Sequence, residues 1–321
     1  MRFDRKRIPA PTRTAVLRAL GSAVLAAGFA SAPAPASSGG IAPDGVRTHS
    51  SRPDQALEGK DHRVDVGGRK LHARIFGQGS PTVVLISGAN AMQSTWNALA
   101  GLLAESATVL TFDRAGYGKS EIGEKPAHAR QAALDLRRLL EELAVPKPYL
   151  VVGHSYGDRV ARIYASLFPE GLGGLILMEG TPPGFLKAQK KVLSGTDLET
   201  WERMESARPV PAHPRTEADY NPISLEQAER VGPLPRIPCL VLIAGARREN
   251  VVPPAYSPEA RRNLSLLRLD MQKKMAEEIP GGRFIVFDEL SHGMHLDNPA
   301  PIAGAIKDMI DRMRPERAKE K

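Results

Sequence analysis

Two kinds of hydrophobic patterning run along the chain. Residues 63–66 and 70–76 alternate apolar and polar positions on either side of Gly67-Gly68, a pair free to take positive φ, and so predict an antiparallel hairpin. Further on, the runs 82–86, 108–112, 149–152, 175–178, 239–243 and 284–287 are almost continuously apolar. Strands apolar on both faces belong in a buried parallel sheet covered by helices. Helical periodicity fills much of the space between them: Ala133, Leu136, Leu140 and Leu143 share one stripe of 129–143, Val160, Ile163, Tyr164 and Leu167 one stripe of 158–168, and Ile302, Ile306, Met309 and Ile310 one stripe of 301–313. Strand alternating with helix predicts an α/β fold, a mostly parallel, doubly wound sheet of about eight strands.

The rhythm breaks over 181–236. This stretch is rich in proline, holds no convincing strand, and carries one helical pattern with Leu198, Trp201 and Met204 at a spacing of three. It is too long for a plain connection. The expectation is a lid or cap inserted over one end of the sheet, dividing the core into 61–180 and 237–313.

Composition narrows the picture. The chain has 321 residues, 42% hydrophobic and 25% charged, enough apolar material for a sizeable core. It contains no run of the roughly 18–20 apolar residues that a membrane-spanning helix needs. Cys239 is the single cysteine, which excludes an intrachain disulfide framework and a cysteine-based metal fold. The formal charge of +8 is concentrated at the ends. Arg2, Arg5, Lys6, Arg7, Arg13 and Arg18 face only Asp4 within 1–36, and the tail 314–321 is also basic. The body between is near neutral, so no nucleic-acid partner is expected. The basic start, the apolar run 19–30 and the small residues and prolines after it have the order of a secretory signal peptide over 1–36. Of two A-x-A sites, the one at 34–36 is favoured because Pro33 follows the other. A secreted or periplasmic location is expected, with no stable membrane insertion after cleavage. Residues 37–60 read as a disordered linker and 314–321 as a flexible tail.

The chemistry centres on Gly153-His154-Ser155-Tyr156-Gly157, set between an apolar strand and a helical stripe. That setting suits a sharp turn that lifts a nucleophilic serine above the sheet edge at a helix N-terminus. A serine hydroxyl needs a base to take its proton. Among eight histidines, His292 and His295 follow the last expected strand and so can reach the same sheet edge. His49, His62, His72, His128 and His213 fall in the linker, the hairpin, a helix start and the insertion, and His154 neighbours the serine but is expected to point elsewhere.

With Ser87-Gly88 after a strand, the segment Asp113-Arg114-Ala115-Gly116-Tyr117-Gly118-Lys119-Ser120, the serine turn, and His292 ahead of Asp297-Asn298-Pro299, the chain resembles the α/β-hydrolase superfamily from about residue 63 to 313. The family's closing motif, G-H-x-x-x-x-[DE]-x-P, selects His292 over His295, with Ser291 in place of its glycine. The resemblance implies a carboxylate to orient the imidazole, and two candidates exist. The pattern G-x-x-D-x-x-x-P after strand 239–243 fits Glu249 only when counted back from Pro253, since the count from Gly245 reaches Arg248. The other location in the family, the end of the preceding strand, holds Glu179. A carboxylate ending a buried strand needs a partner, which His292 would supply, and this favours Glu179. By resemblance the oxyanion donors are the backbone N–H groups of Ala89 and Tyr156. The segment 113–120 is expected to be a glycine turn behind the site, with Asp113 and Arg114 free to bind backbone groups. Ser87, where the family often has histidine, and Asp158, where it has small residues, are departures. The implied activity is cleavage of a small carboxylic ester through an acyl-enzyme on Ser155, with no cofactor or metal. Amidase, lactonase, thioesterase or haloperoxidase chemistry on the same residues, and a non-catalytic binding protein, are the alternatives.

Overall fold

The structure, a computed structural model, describes residues 59–206, 216–245 and 252–313. Eight strands form one sheet: β1 (Lys60–Asp65), β2 (Lys70–Phe76), β3 (Thr82–Ile86), β4 (Thr108–Phe112), β5 (Tyr149–His154), β6 (Leu172–Met178), β7 (Cys239–Ala244) and β8 (Gly282–Phe287). Their order is β1-β2-β4-β3-β5-β6-β7-β8. Only β2 runs against its neighbours; every pair from β4 to β8 is parallel. Strand β1 opens at Lys60, one residue inside the expected linker.

The helices, apart from a 3-10 turn at Gln93–Trp96, are α1 (Asn97–Leu103), α2 (Ala129–Leu143), α3 (Tyr156–Leu167), α4 (Phe185–Gln189), α5 (Gly195–Ser206), α6 (Asn221–Glu229), α7 (Pro258–Glu278), α8 (Met294–Asp297) and α9 (Pro299–Met313). The pleat explains why the central runs are apolar throughout. Val83 and Leu85 of β3, with Leu150 and Val152 of β5, enter the layer covered by α1 and α9. Val84, Ile86, Tyr149 and Val151 enter the opposite layer, under α2, α3 and the end of α7. Each strand is thus sandwiched, and a fully buried Leu or Ile contributes about 1.5–3 kcal/mol. Edge strand β8 has a covering on fewer sides, so Phe284 is 38% exposed.

The apolar pattern does not predict helix α7, because its inward face is partly polar. Ser265 and Gln272 are buried beside Leu264 and Met275 and interrupt the apolar stripe. Its start is nonetheless well marked: Ser257 accepts a hydrogen bond from the Ala260 N–H, with Pro258 and Glu259 next in the chain. Between β6 and β7 the described residues hold helices α4, α5 and α6 and no strand. Leu198, Trp201 and Met204 of α5 pack on a small separate core with Leu193, Val252, Tyr256, Ala260 and Leu264.

Candidate active site

Every group of interest sits at the C-terminal ends of the parallel strands, where side chains leave the sheet beside helix N-termini. Ser155 lies between β5 and α3 with φ 54° and ψ −109°, a strained conformation for a residue with a Cβ. The turn closes only because its flanks are glycine. A Cβ on Gly157 would overlap the Ile86 carbonyl oxygen, and one on Gly153 would overlap the Gly157 carbonyl oxygen. The serine backbone is fastened by its N–H, which donates to the Met178 carbonyl at 2.9 Å.

Ser155 Oγ lies 3.1 Å from His292 Nε2, and His292 Nδ1 lies 3.2 Å from Glu179 Oε2. Since a carboxylate faces Nδ1, the proton belongs there, which leaves Nε2 free to accept from the serine hydroxyl. Glu179 lies directly after β6 with φ 53° and is 2% exposed. Its other oxygen, Oε1, accepts from the Ala244 N–H at 2.8 Å. Arg268 of α7 stands 3.7 Å from Oε2 and donates to the Glu179 carbonyl at 2.6 Å. Burial pushes the carboxyl pKa up, but the His292 hydrogen bond, the Arg268 and His292 charges and the Ala244 N–H together outweigh it and bring it down to about 2. The structure therefore brings Ser155, His292 and Glu179 into one hydrogen-bonded line, while Glu249 lies outside the described residues. Neither Arg268 nor its helix stands out in the sequence, because an arginine on a polar helix has no local signature.

Two further histidines surround His292. Contrary to the expectation from the sequence, His154 does not point elsewhere: its Nε2–H donates to the His292 carbonyl at 2.8 Å, and the two rings are 4.9 Å apart. His295 stacks on Trp96 at 4.1 Å and lies 4.7 Å from the His154 ring. Burial first, then the neighbouring imidazoles, lower both pKa values, His154 well below its ordinary 6.5 and His295 to about 3. Asp297, in the sequence only a spacing mark of the closing motif, accepts the Ser291 N–H at 2.6 Å and so secures the loop that presents His292.

On the other side of Ser155, Gly88 abuts the nucleophile: a Cβ there would come within 3.4 Å of the serine Cβ. Ala89 comes next, exposed at the rim, and Tyr156 is the first residue of α3. Ser87 is an anchor, its hydroxyl oxygen accepting from Trp96 Nε1–H at 2.9 Å. Arg114 donates to the carbonyls of Ser87 at 2.6 Å and Gly88 at 2.7 Å, and Asp113 accepts the Gln93 N–H at 2.8 Å. Asp158 is fully buried, paired with Arg162 at 2.8 Å and packed on Gly180. A cavity of about 1070 Å³ lies at the far ends of β7 and β8, lined in part by Arg236, Cys239 and Arg283, away from Ser155.

Comparison with known proteins agrees with the fold. The uncharacterized protein YqjL of Bacillus subtilis (strain 168) is 27% identical over 233 residues, 73% of this chain and 85% of that protein. The putative carbamate hydrolase RutD of Azorhizobium caulinodans is 25% identical over 248 residues, 73% of this chain and 92% of that one. A thermophilic esterase from Thermogutta terrifontis superposes with a TM-score of 0.55 at 20% identity, covering 79% of this chain and 100% of the other, a likeness of fold. The model of the alpha/beta hydrolase family matches residues 83–305, more than half of the chain and the whole stretch from β3 into α9, and the chain belongs to that family.

Proposed function

We propose that the chain is a secreted serine hydrolase that cleaves a carboxylic ester through an acyl-enzyme on Ser155. The observation that carries this reading is the unbroken line of hydrogen bonds from Ser155 Oγ through His292 to Glu179, mounted on a strained turn. As Oγ attacks the ester carbonyl, His292 Nε2 takes the serine proton, and the imidazolium that forms is stabilised by the ionised Glu179 at Nδ1. The carbonyl oxygen becomes an oxyanion held by the N–H groups of Ala89 and Tyr156, the latter at the positive end of α3. Collapse of this tetrahedral species breaks the bond to the alcohol, which leaves with the proton from Nε2. A water then gives a proton to Nε2 as it attacks the acyl carbon, and collapse of the second tetrahedral species breaks the bond to Ser155 Oγ, which takes that proton from Nε2, releasing the acid and the free serine.

The segment 181–236 acts in this reading as a lid that shapes the pocket, and residues 1–36 as the export signal. Hydrolysis of a carbamate or amide is the second reading, supported by the relative named a putative carbamate hydrolase, because the same residues serve either leaving group. Labelling by a fluorophosphonate probe, lost in Ser155→Ala, tests the nucleophile. A panel of p-nitrophenyl esters and matched carbamates separates the two substrate classes. Folded wild-type protein that takes up no probe would favour a binding protein on this scaffold.

A further inference from the structure

Resting on the hydrolase reading, we infer that the insertion does more than cover the site: residues 217–224 brace both sides of the oxyanion hole. Glu217 makes a two-point ion pair with Arg114, 2.6 Å to Nε and 2.9 Å to Nη2, and both residues are buried. Burial alone would lower the Arg114 pKa, yet the Glu217 carboxylate beside it raises it, so the guanidinium stays charged. Its remaining donors hold the carbonyls of Ser87 and Gly88. In a trans peptide the C=O and N–H point to opposite sides. Fixing these two carbonyls on the Arg114 side therefore turns the N–H groups of Gly88 and Ala89 away from it, along a backbone that abuts Ser155.

The second donor is tied to the same segment. The Tyr156 hydroxyl hydrogen-bonds with Ser224 Oγ at 3.0 Å, and that oxygen also accepts the Ala129 N–H at 3.0 Å. The Tyr156 ring is flanked by Arg114 at 5.1 Å and Arg159 at 5.4 Å, and Arg159 donates to Asn221 Oδ1 at 2.6 Å. One stretch of the insertion thus reaches the residue behind each donor. Glu217 and Ser224 are positioning residues, acting through Arg114 and Tyr156 on the developing oxyanion.

The test uses the signal-free protein with a p-nitrophenyl ester and a boronic acid that forms a tetrahedral adduct on the serine. Glu217→Gln should lower kcat by about tenfold or more, with KM changed less than about twofold, and weaken the boronic acid by a similar factor, because the hole binds the transition state and not the ester. Ser224→Ala should act the same way more mildly. Gln227→Ala is the control. Gln227 lies on α6 with Ser224, accepts the Arg130 N–H of α2 and touches neither donor, so kcat and boronic-acid affinity should hold. A purely structural role would lower the thermal midpoint and leave the kcat and KM split and the boronic acid unchanged, which would overturn the brace. If Glu217→Gln does not fold, Ser224→Ala decides by the same readouts. Probe labelling of Ser155 alongside normal kcat in both variants sinks the brace and leaves the hydrolase standing; no labelling of folded wild type sinks both.

Discussion

Replacing Glu179 with glutamine changes one oxygen for an NH2 group, and the surroundings decide which way the new amide faces. The Ala244 N–H, 2.8 Å from Oε1, demands an acceptor there. The glutamine oxygen takes that place, and its NH2 faces His292 Nδ1, where Oε2 stood at 3.2 Å. Turning the amide round would set NH2 against N–H, leaving a buried donor unpaired at a cost of about 1–3 kcal/mol. His292 must then accept at Nδ1 and carry its proton on Nε2, the tautomer that cannot take a proton from Ser155. In serine proteases the same carboxylate-to-amide change lowers kcat about 10⁴-fold, roughly 5.5 kcal/mol of transition-state stabilisation. We expect Glu179→Gln to reduce kcat by about 10³ to 10⁴-fold on a p-nitrophenyl ester, with KM nearly unchanged and a native circular-dichroism spectrum. Glu249→Gln, measured alongside, should stay within about twofold of wild type. A loss under about tenfold for Glu179→Gln, or a larger loss for Glu249→Gln, would refute the tautomer argument.

Three further outcomes are expected from the same geometry. The Glu179 pKa of about 2 lies below its ordinary 4.5, so its ionisation stabilises the fold above pH 4.5 and that contribution disappears as pH falls toward 2; urea unfolding should show wild type losing up to about 3 kcal/mol more than Glu179→Gln across that window, and parallel losses would count against it. Gly157→Ala drives a Cβ into the Ile86 carbonyl oxygen, so the thermal midpoint should drop by several degrees, corresponding to about 1–3 kcal/mol, and an unchanged melt would contradict the turn geometry. Ser155→Gly abolishes turnover but relieves a positive-φ strain of about 1–3 kcal/mol against a glycine entropy cost of about 0.5–1, so it should melt at or above the wild-type temperature; a clear drop would show that the turn is unstrained.

The central sheet was readable because burial on both faces writes itself as uninterrupted apolar runs, and β3, β5 and β7 match them within a residue or two. The turn at Ser155 was readable because its two glycines answer a steric demand confined to five residues. What escaped is pairing between distant chain positions that no motif marks. Arg268 reaches Glu179 from 89 positions away, on a helix whose buried serine and glutamine hide its inner face. Glu217 finds Arg114 across 103 positions, and nothing near either residue marks the pairing. The place of His154 was misjudged for a similar reason: the atom it serves, the His292 carbonyl, belongs to a loop 138 residues on.

The cluster of imidazoles around His292 bears on where a proton can travel. Were Ser155 to hand its hydrogen to His292, as proposed, two other rings would lie close by, His154 bonded to the same loop and His295 behind it. Burial lowers the pKa of both, His295 to about 3, so each ring holds a proton less readily than an ordinary imidazole. On the proposed mechanism, two such dry neighbours would insulate the base, discouraging its hydrogen from wandering past His292 before the leaving group takes it.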